Sequence, residues 1–130
     1  MKSINLASKI YEAFAAGSVD GLTALCTPDI EWIQNEGFPY GGNHRGAAAV
    51  LEGVRNTLDR YWDGFAFTRH EAYDSGQIAI VIGVYSGTHK ITGLPVRADA
   101  VHILEFEDGL LRRFRQFTDT KLFHDAVVAA

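Results

Sequence analysis

The sequence is poor in the devices that staple or anchor small proteins. It has one cysteine, one methionine and three prolines in 130 residues. A lone cysteine, Cys26, cannot close an internal disulfide, so the fold has to rest on a buried apolar core. No stretch approaches the roughly eighteen apolar residues of a membrane span. The amino-terminal "MKSINLASKIYEAF" also lacks the continuous apolar run of a secretory signal. A cytoplasmic location and no membrane partner are the expectations. Basic runs are scarce as well: the formal charge is -4, and the clustered cations are Arg112, Arg113 and Arg115. Phosphate neutralisation needs a basic surface, so this balance argues against nucleic-acid binding. On a strand, Arg113 and Arg115 would face one way and Arg112 the other, the pattern of a solvated or interfacial face.

Against these absences stand 47% hydrophobic and 22% charged residues, the composition of one soluble globular domain spanning residues 1–130. A chain of this length buries roughly two thirds of its unfolded surface, enough for a core without a structural metal.

The first third reads as helices. Leu6, Ile10 and Phe14 recur at four-residue spacing, with Ser3 placed to cap the start and Gly17 to close the end. A second helix follows, with Ser18 as N-cap, Leu22, Leu25 and Cys26 on one side, and Pro28 as its stop. Cys26 reads as a small core residue, because no neighbouring sequence offers a base to activate it. "DIEWIQNEGFPYGGNHRG" starts as a short strand, with Ile30, Trp32, Gln34 and Glu36 on one face, and then becomes a connecting loop. Gly41 and Gly46 have the spacing of a phosphate-binding loop, but Ala47 stands where its lysine should be. After Gly46 a helix is marked by Val50, Leu51, Val54, Leu58, Tyr61 and Trp62, a stripe suited to core packing.

From Phe65 onward the period changes from helical to alternating. Strands are predicted at about 65–73, 77–88, 95–107 and 110–118, divided by the turn signals "DSG", "TG" and "EDG". They form an antiparallel meander, and the last residues, "TKLFHDAVVAA", read as a short terminal helix or tail, with Asp119 placed to cap such a helix. Helices followed by such a sheet make an α+β domain in which the helices close one face. In "IAIVIGVY" both alternating sets are apolar, so this strand should be covered on both sides. A second copy of the chain is the expected cover, giving a homodimer packed through the sheet.

One histidine breaks the alternation. In "RADAVHILEF", Arg97, Asp99 and Glu105 fall on one face and Ala98, Ala100, Leu104 and Phe106 on the other, with His102 among the apolar set. It is either a core histidine satisfied by a neighbour or the ionisable group of a pocket. Asp99, on the opposite face, cannot be its partner. The remaining histidines, His44, His70, His89 and His124, have no close ligand spacing, so no metal site is expected. No G-x-S-x-G elbow is present, and no cofactor is expected.

The succession "YEAFAAGSVDGLTALCTPDIEW", "HRG" at a helix start and "AVHILEFEDGLLRRFRQFTDT" resembles the SnoaL-like proteins of the nuclear transport factor 2-like superfamily, to which ketosteroid isomerases belong. The likeness spans nearly the whole chain. It implies a cone-shaped α+β fold, a curved antiparallel sheet wrapped around amino-terminal helices, and often a homodimer. It also implies that His102 holds the position of a pocket histidine in SnoaL-type cyclases, and of the protonated oxyanion-hole aspartic acid in the isomerases. Gln116 and Gln34 fall where the cyclases and isomerases carry their acidic bases, and the isomerase tyrosine falls at Ile10, with Tyr11 one step around the helix. A carboxamide has no useful proton-transfer pKa, so neither glutamine can act as a general base. What remains is a face bearing Trp32, Gln34, Tyr85, His102, Phe114, Gln116 and Thr118, aromatic walls with a few hydrogen-bonding tips. Such a surface suits a small, largely apolar organic molecule. His102 is the candidate catalytic group, Glu36 an alternative base, and isomerisation, cyclisation or hydration the candidate chemistry; a non-catalytic binding or dimerisation module is the competing reading.

Overall fold

A computed structural model describes residues 1–128. The elements are α1 (Ser3–Ala16), α2 (Val19–Leu25), β1 (Cys26–Gln34), β2 (Gly42–Arg45), α3 (Ala47–Val50), a π-helical turn (Leu51–Arg55), α4 (Asn56–Tyr61), β3 (Trp62–Ser75), β4 (Ile78–His89), β5 (Pro95–Glu107), β6 (Leu110–Thr118) and α5 (Thr120–Val127). The strands make one curved sheet in the order β2-β1-β6-β5-β4-β3. The α+β architecture expected from the sequence is therefore the one observed. No helix among the described residues is long and apolar enough to cross a membrane.

Local chemistry explains the helix ends. Gly17 closes α1 in the left-handed region at φ 68°, with its N–H bonded to the Phe14 carbonyl. The Ser18 hydroxyl accepts from the Gly21 N–H at the start of α2, and the Asp119 carboxylate accepts from the Lys121 N–H at the start of α5. Ser3, expected to cap α1, instead lies buried inside its first turn. Its hydroxyl donates to Asp74 and contacts the Ile78 carbonyl, tying the helix to the β3–β4 turn.

Other boundaries move for physical reasons. Pro28 does not stop α2, which ends at Leu25; it sits within β1, in the stretch between Cys26 and Glu31 where the pairing with β6 is interrupted and no ladder N–H is required. The predicted connecting loop contains β2, which pairs antiparallel with β1. Trp62 belongs to β3 rather than to the preceding helix. The antiparallel meander β3-β4-β5-β6 matches the prediction, but β1 joins β6 in parallel, bringing an early strand beside a late one.

The inner face of the sheet holds the core. Along β5, Val96, Ala98, Ala100, His102, Leu104 and Phe106 are all buried, whereas the intervening residues are not. Ile10 of α1, Leu22 of α2, Val50 of α3 and Phe123 of α5 pack onto this face. Removing such a side chain from water stabilises the fold by about 1.5–3 kcal/mol. On the outer face, Glu105 gathers Arg112, Arg113 and Arg115 within 3.5–3.7 Å. Arg112 joins its neighbours, against the expected alternation, because a bulge opposite Glu105 and Phe106 inserts it as an extra residue. Glu31 adds Arg45 at 2.9 Å and Arg113 at 3.2 Å. The arginines thus belong to a paired, partly solvated face.

Candidate functional site

The register of the sheet builds the site. Gln34 on β1 lies opposite Gln116 on β6, which lies opposite His102 on β5. Two residues before Gln34 and Gln116, and two after His102 on the antiparallel β5, Trp32, Phe114 and Leu104 form a parallel row. Because side chains alternate between faces, both rows project toward the helices. There α1, the π-helical turn and the start of β3 leave a cavity of about 590 Å³.

Its walls are aromatic. Trp32 stacks on Phe114 at 3.7 Å between ring centres and on Phe14 at 5.3 Å. Phe67 stacks over the His102 imidazole at 4.1 Å. Phe67 gets there because β4 has no side chain at Gly83: a Cβ at that position would lie 2.8 Å from the Phe67 ring and 2.3 Å from the Thr68 carbonyl oxygen. The exposed carboxylates of Glu12 and Asp59 and the guanidinium of Arg69 border the cavity, along with half-buried Arg55, so its rim carries both charges equally. The Arg69 guanidinium also sits 4.7 Å above the Tyr11 ring.

His102, 3% exposed, is hydrogen-bonded on both ring nitrogens. Nδ1 lies 2.7 Å from the Tyr11 hydroxyl and Nε2 lies 2.6 Å from the Tyr85 hydroxyl. Tyr85 also donates to Gln116 Oε1 at 2.9 Å, and Gln116 Nε2 donates to Asn35 Oδ1 at 2.8 Å. Burial disfavours the imidazolium and pushes its pKa down to about 3, so the imidazole is neutral near neutral pH. Burial likewise raises both phenols, with Arg69 opposing the effect at Tyr11. The set is a chain of neutral groups.

Of the residues singled out in the sequence, Trp32, Gln34, Tyr85, His102 and Phe114 line the cavity. Gln116 stands behind Tyr85, in contact with it but outside the wall. Thr118 is not a wall residue: its hydroxyl donates to the Asp99 carbonyl. Glu36 is exposed in the turn after β1 and outside the lining, because the strand ends at Gln34 and the alternation that placed it inward ends there too. Cys26 is buried at the α2–β1 junction, where its thiol is pushed up to about 12, the state of a packing residue.

Tyr11 and Phe67 were not among the expected site residues. The tyrosine position implied at Ile10 is a core position, and it is Tyr11 that reaches His102. The signal was present as a second stripe on α1, Ala7, Tyr11 and Phe14 at i, i+4 and i+7. Among the described residues, two lining side chains carry buried atoms without a hydrogen-bond partner: Gln34 Oε1 and Trp32 Nε1.

The sequence pattern of the SnoaL-like domain matches residues 7–114. No curated protein matches the chain. Among solved structures, the chain is similar to an NTF2-like protein from Burkholderia thailandensis, with 30% identity over 98% of each chain and a TM-score of 0.91. It is also similar in fold to TerC co-crystallised with polyporic acid, at 24% identity over 96% of this chain and 97% of that one, TM-score 0.80. A protein from Catenulispora acidiphila with a ketosteroid isomerase-like fold, in complex with trimethylamine, aligns at 14% identity over 95% and 92% of the two chains, TM-score 0.77.

Proposed function

Since the chain belongs to the SnoaL-like domain family, we propose that its cavity binds a small, largely apolar, planar organic molecule and that the Tyr11–His102 pair moves a proton on it without a metal or organic cofactor. One observation carries this reading: an imidazole hydrogen-bonded on both ring nitrogens in the wall of an aromatic cavity of about 590 Å³. Isomerisation, cyclisation and hydration are the reaction types such a site serves. TerC, which shares the fold, was co-crystallised with polyporic acid, and an organic ligand in the equivalent space is what this reading expects.

In the proposed step a ligand proton passes to the Tyr11 oxygen while the Tyr11 proton passes to His102 Nδ1. Reversal of both transfers returns the proton to another atom of the ligand. Lowering the imidazolium from its ordinary 6.5 to about 3 makes the charged intermediate costlier by on the order of 5 kcal/mol. A turnover of about 10 per second corresponds to a barrier of about 16 kcal/mol, so this cost fits a transient imidazolium but excludes a resting one.

A second reading, a binding module without turnover, is favoured by the amides at Gln34 and Gln116 and by the position of Glu36 outside the lining. A panel of aromatic and alicyclic ketones and alcohols, followed by proton NMR for deuterium exchange and product, separates the readings. Exchange by the parent that disappears in His102→Ala, with binding retained, supports proton transfer. Binding without exchange favours the second reading, and the absence of binding overturns both. The same proposal takes the protein as a homodimer: Ile80, Ile82, Val101 and Ile103 form a half-buried apolar strip on the outer face, with Phe117 45% exposed nearby.

A further inference from the structure

We propose that the Tyr11 hydroxyl in the cavity wall is built as a hydrogen-bond acceptor, and so selects a planar arene bearing a hydroxyl over one offering only an ether or carbonyl oxygen. The inference rests on the cavity being a ligand site, as argued above.

Its basis is the direction of the buried hydrogen-bond chain. A backbone carbonyl can only accept, and the Thr118 carbonyl receives Asn35 Nδ2 at 3.3 Å. That fixes the Asn35 amide with its oxygen toward Gln116, so Gln116 must present Nε2 to it, 2.8 Å away. Gln116 then turns Oε1 to Tyr85 and takes the phenolic proton at 2.9 Å. With that proton spent, the Tyr85 oxygen at 2.6 Å from His102 Nε2 has to accept from Nε2–H. A neutral imidazole carries one N–H, so Nδ1 is bare and the Tyr11 hydroxyl 2.7 Å away donates to it. One main-chain oxygen thus orients five successive hydrogen bonds.

The consequence falls on Tyr11, which lines the cavity. Its single proton is committed to His102, and what the hydroxyl can still offer is lone pairs. A ligand hydroxyl fits by donating there. An ether or ketone oxygen would set lone pairs against lone pairs, and reversing the chain would turn the Asn35 oxygen toward the Thr118 carbonyl. Burial of the imidazole opposes the other escape, a second proton on the ring. Gln34 gives an independent sign of a missing partner: it is 3% exposed, lines the same cavity, and its Oε1 is buried without a hydrogen bond.

Asn35 does not line the cavity, which makes it a positioning residue whose role can be separated from contact. The test compares naphthol, its methyl ether and naphthalene by equilibrium dialysis, with nitrogen-15 NMR of the imidazole, in the parent and in Asn35→Leu. The expected result is naphthol bound at least tenfold more tightly than the ether, and His102 protonated on Nε2 alone. In Asn35→Leu the naphthol preference should shrink several-fold and the Nδ1–H tautomer should appear, with naphthalene affinity unchanged. Equal binding of naphthol and ether, or an Nδ1–H tautomer in the parent, would overturn the acceptor assignment while leaving the cavity reading intact. An unaltered tautomer and preference in Asn35→Leu would overturn the role of the Thr118 carbonyl. Failure of all three compounds to bind would remove the cavity reading and this inference with it.

Discussion

The Phe67 ring lies over the His102 imidazole at 4.1 Å and an interplanar angle of 27°, in space left by the missing side chain of Gly83. A methyl group at 83 would therefore press on both the Phe67 ring and the Thr68 carbonyl. Gly83→Ala should lose about 1–3 kcal/mol of stability in urea unfolding, the usual cost of overpacking. The shifted Phe67 should also be visible as a changed ring-current shift of the His102 protons. An unchanged midpoint and spectrum would mean that β3 absorbs the methyl.

Tyr11→Phe and Tyr85→Phe remove different numbers of hydrogen bonds. The first leaves His102 Nδ1 without its partner, and the second leaves both Nε2 and Gln116 Oε1 without theirs. An unsatisfied buried polar atom costs about 1–3 kcal/mol, so Tyr85→Phe should be the more destabilising of the two in chemical denaturation. The reverse order would show that the chain is not closed through Tyr85.

Acid should weaken the fold through His102. Its folded pKa, pushed down to about 3, lies below its ordinary 6.5, so the unfolded chain binds a proton more readily between those values. The stability that this difference contributes is complete above pH 6.5 and is lost as pH falls toward 3. Between pH 6.5 and 4.5 the loss should reach about 2–3 kcal/mol. His102→Gln should have a flatter acid limb over the same range, measured as urea midpoint against pH; parallel limbs would contradict the neutral buried imidazole.

The outer face should pair with a second copy. Light scattering at micromolar concentration is expected to give twice the chain mass, and Ile80→Lys combined with Ile82→Lys is expected to give the monomer with its helices intact. A monomeric parent would remove the explanation offered for the doubly apolar β4.

Much of this was legible in the sequence because alternation is a local property. The bounds of β5 and β6 follow from alternation together with the turn signals that divide the strands, the inward placement of His102 follows from parity, and Gly17, Ser18 and Asp119 act as their chemistry suggests. What escaped depended on contacts between distant segments. Ser3 looked like a cap until the β3–β4 turn offered Asp74, and Arg112 looked opposed to its neighbours until a bulge intervened. Phe67 could be placed only once the nearness of Gly83 was known. The choice between Ile10 and Tyr11 turned on how α1 is rotated over the sheet, which a stripe on one helix does not fix by itself. His89 shows the bland reading of a buried histidine: it is packed against Trp62 and holds the Thr92 N–H at 3.3 Å, within a turn.

The parallel seam between β1 and β6 has a consequence for biosynthesis. Trp32 and Gln34 are made first, whereas Phe114 and Gln116, their neighbours across the seam, follow about eighty residues later. A nascent chain therefore exposes half of an aromatic pocket until β6 has been made, and the cavity closes in one late, cooperative step.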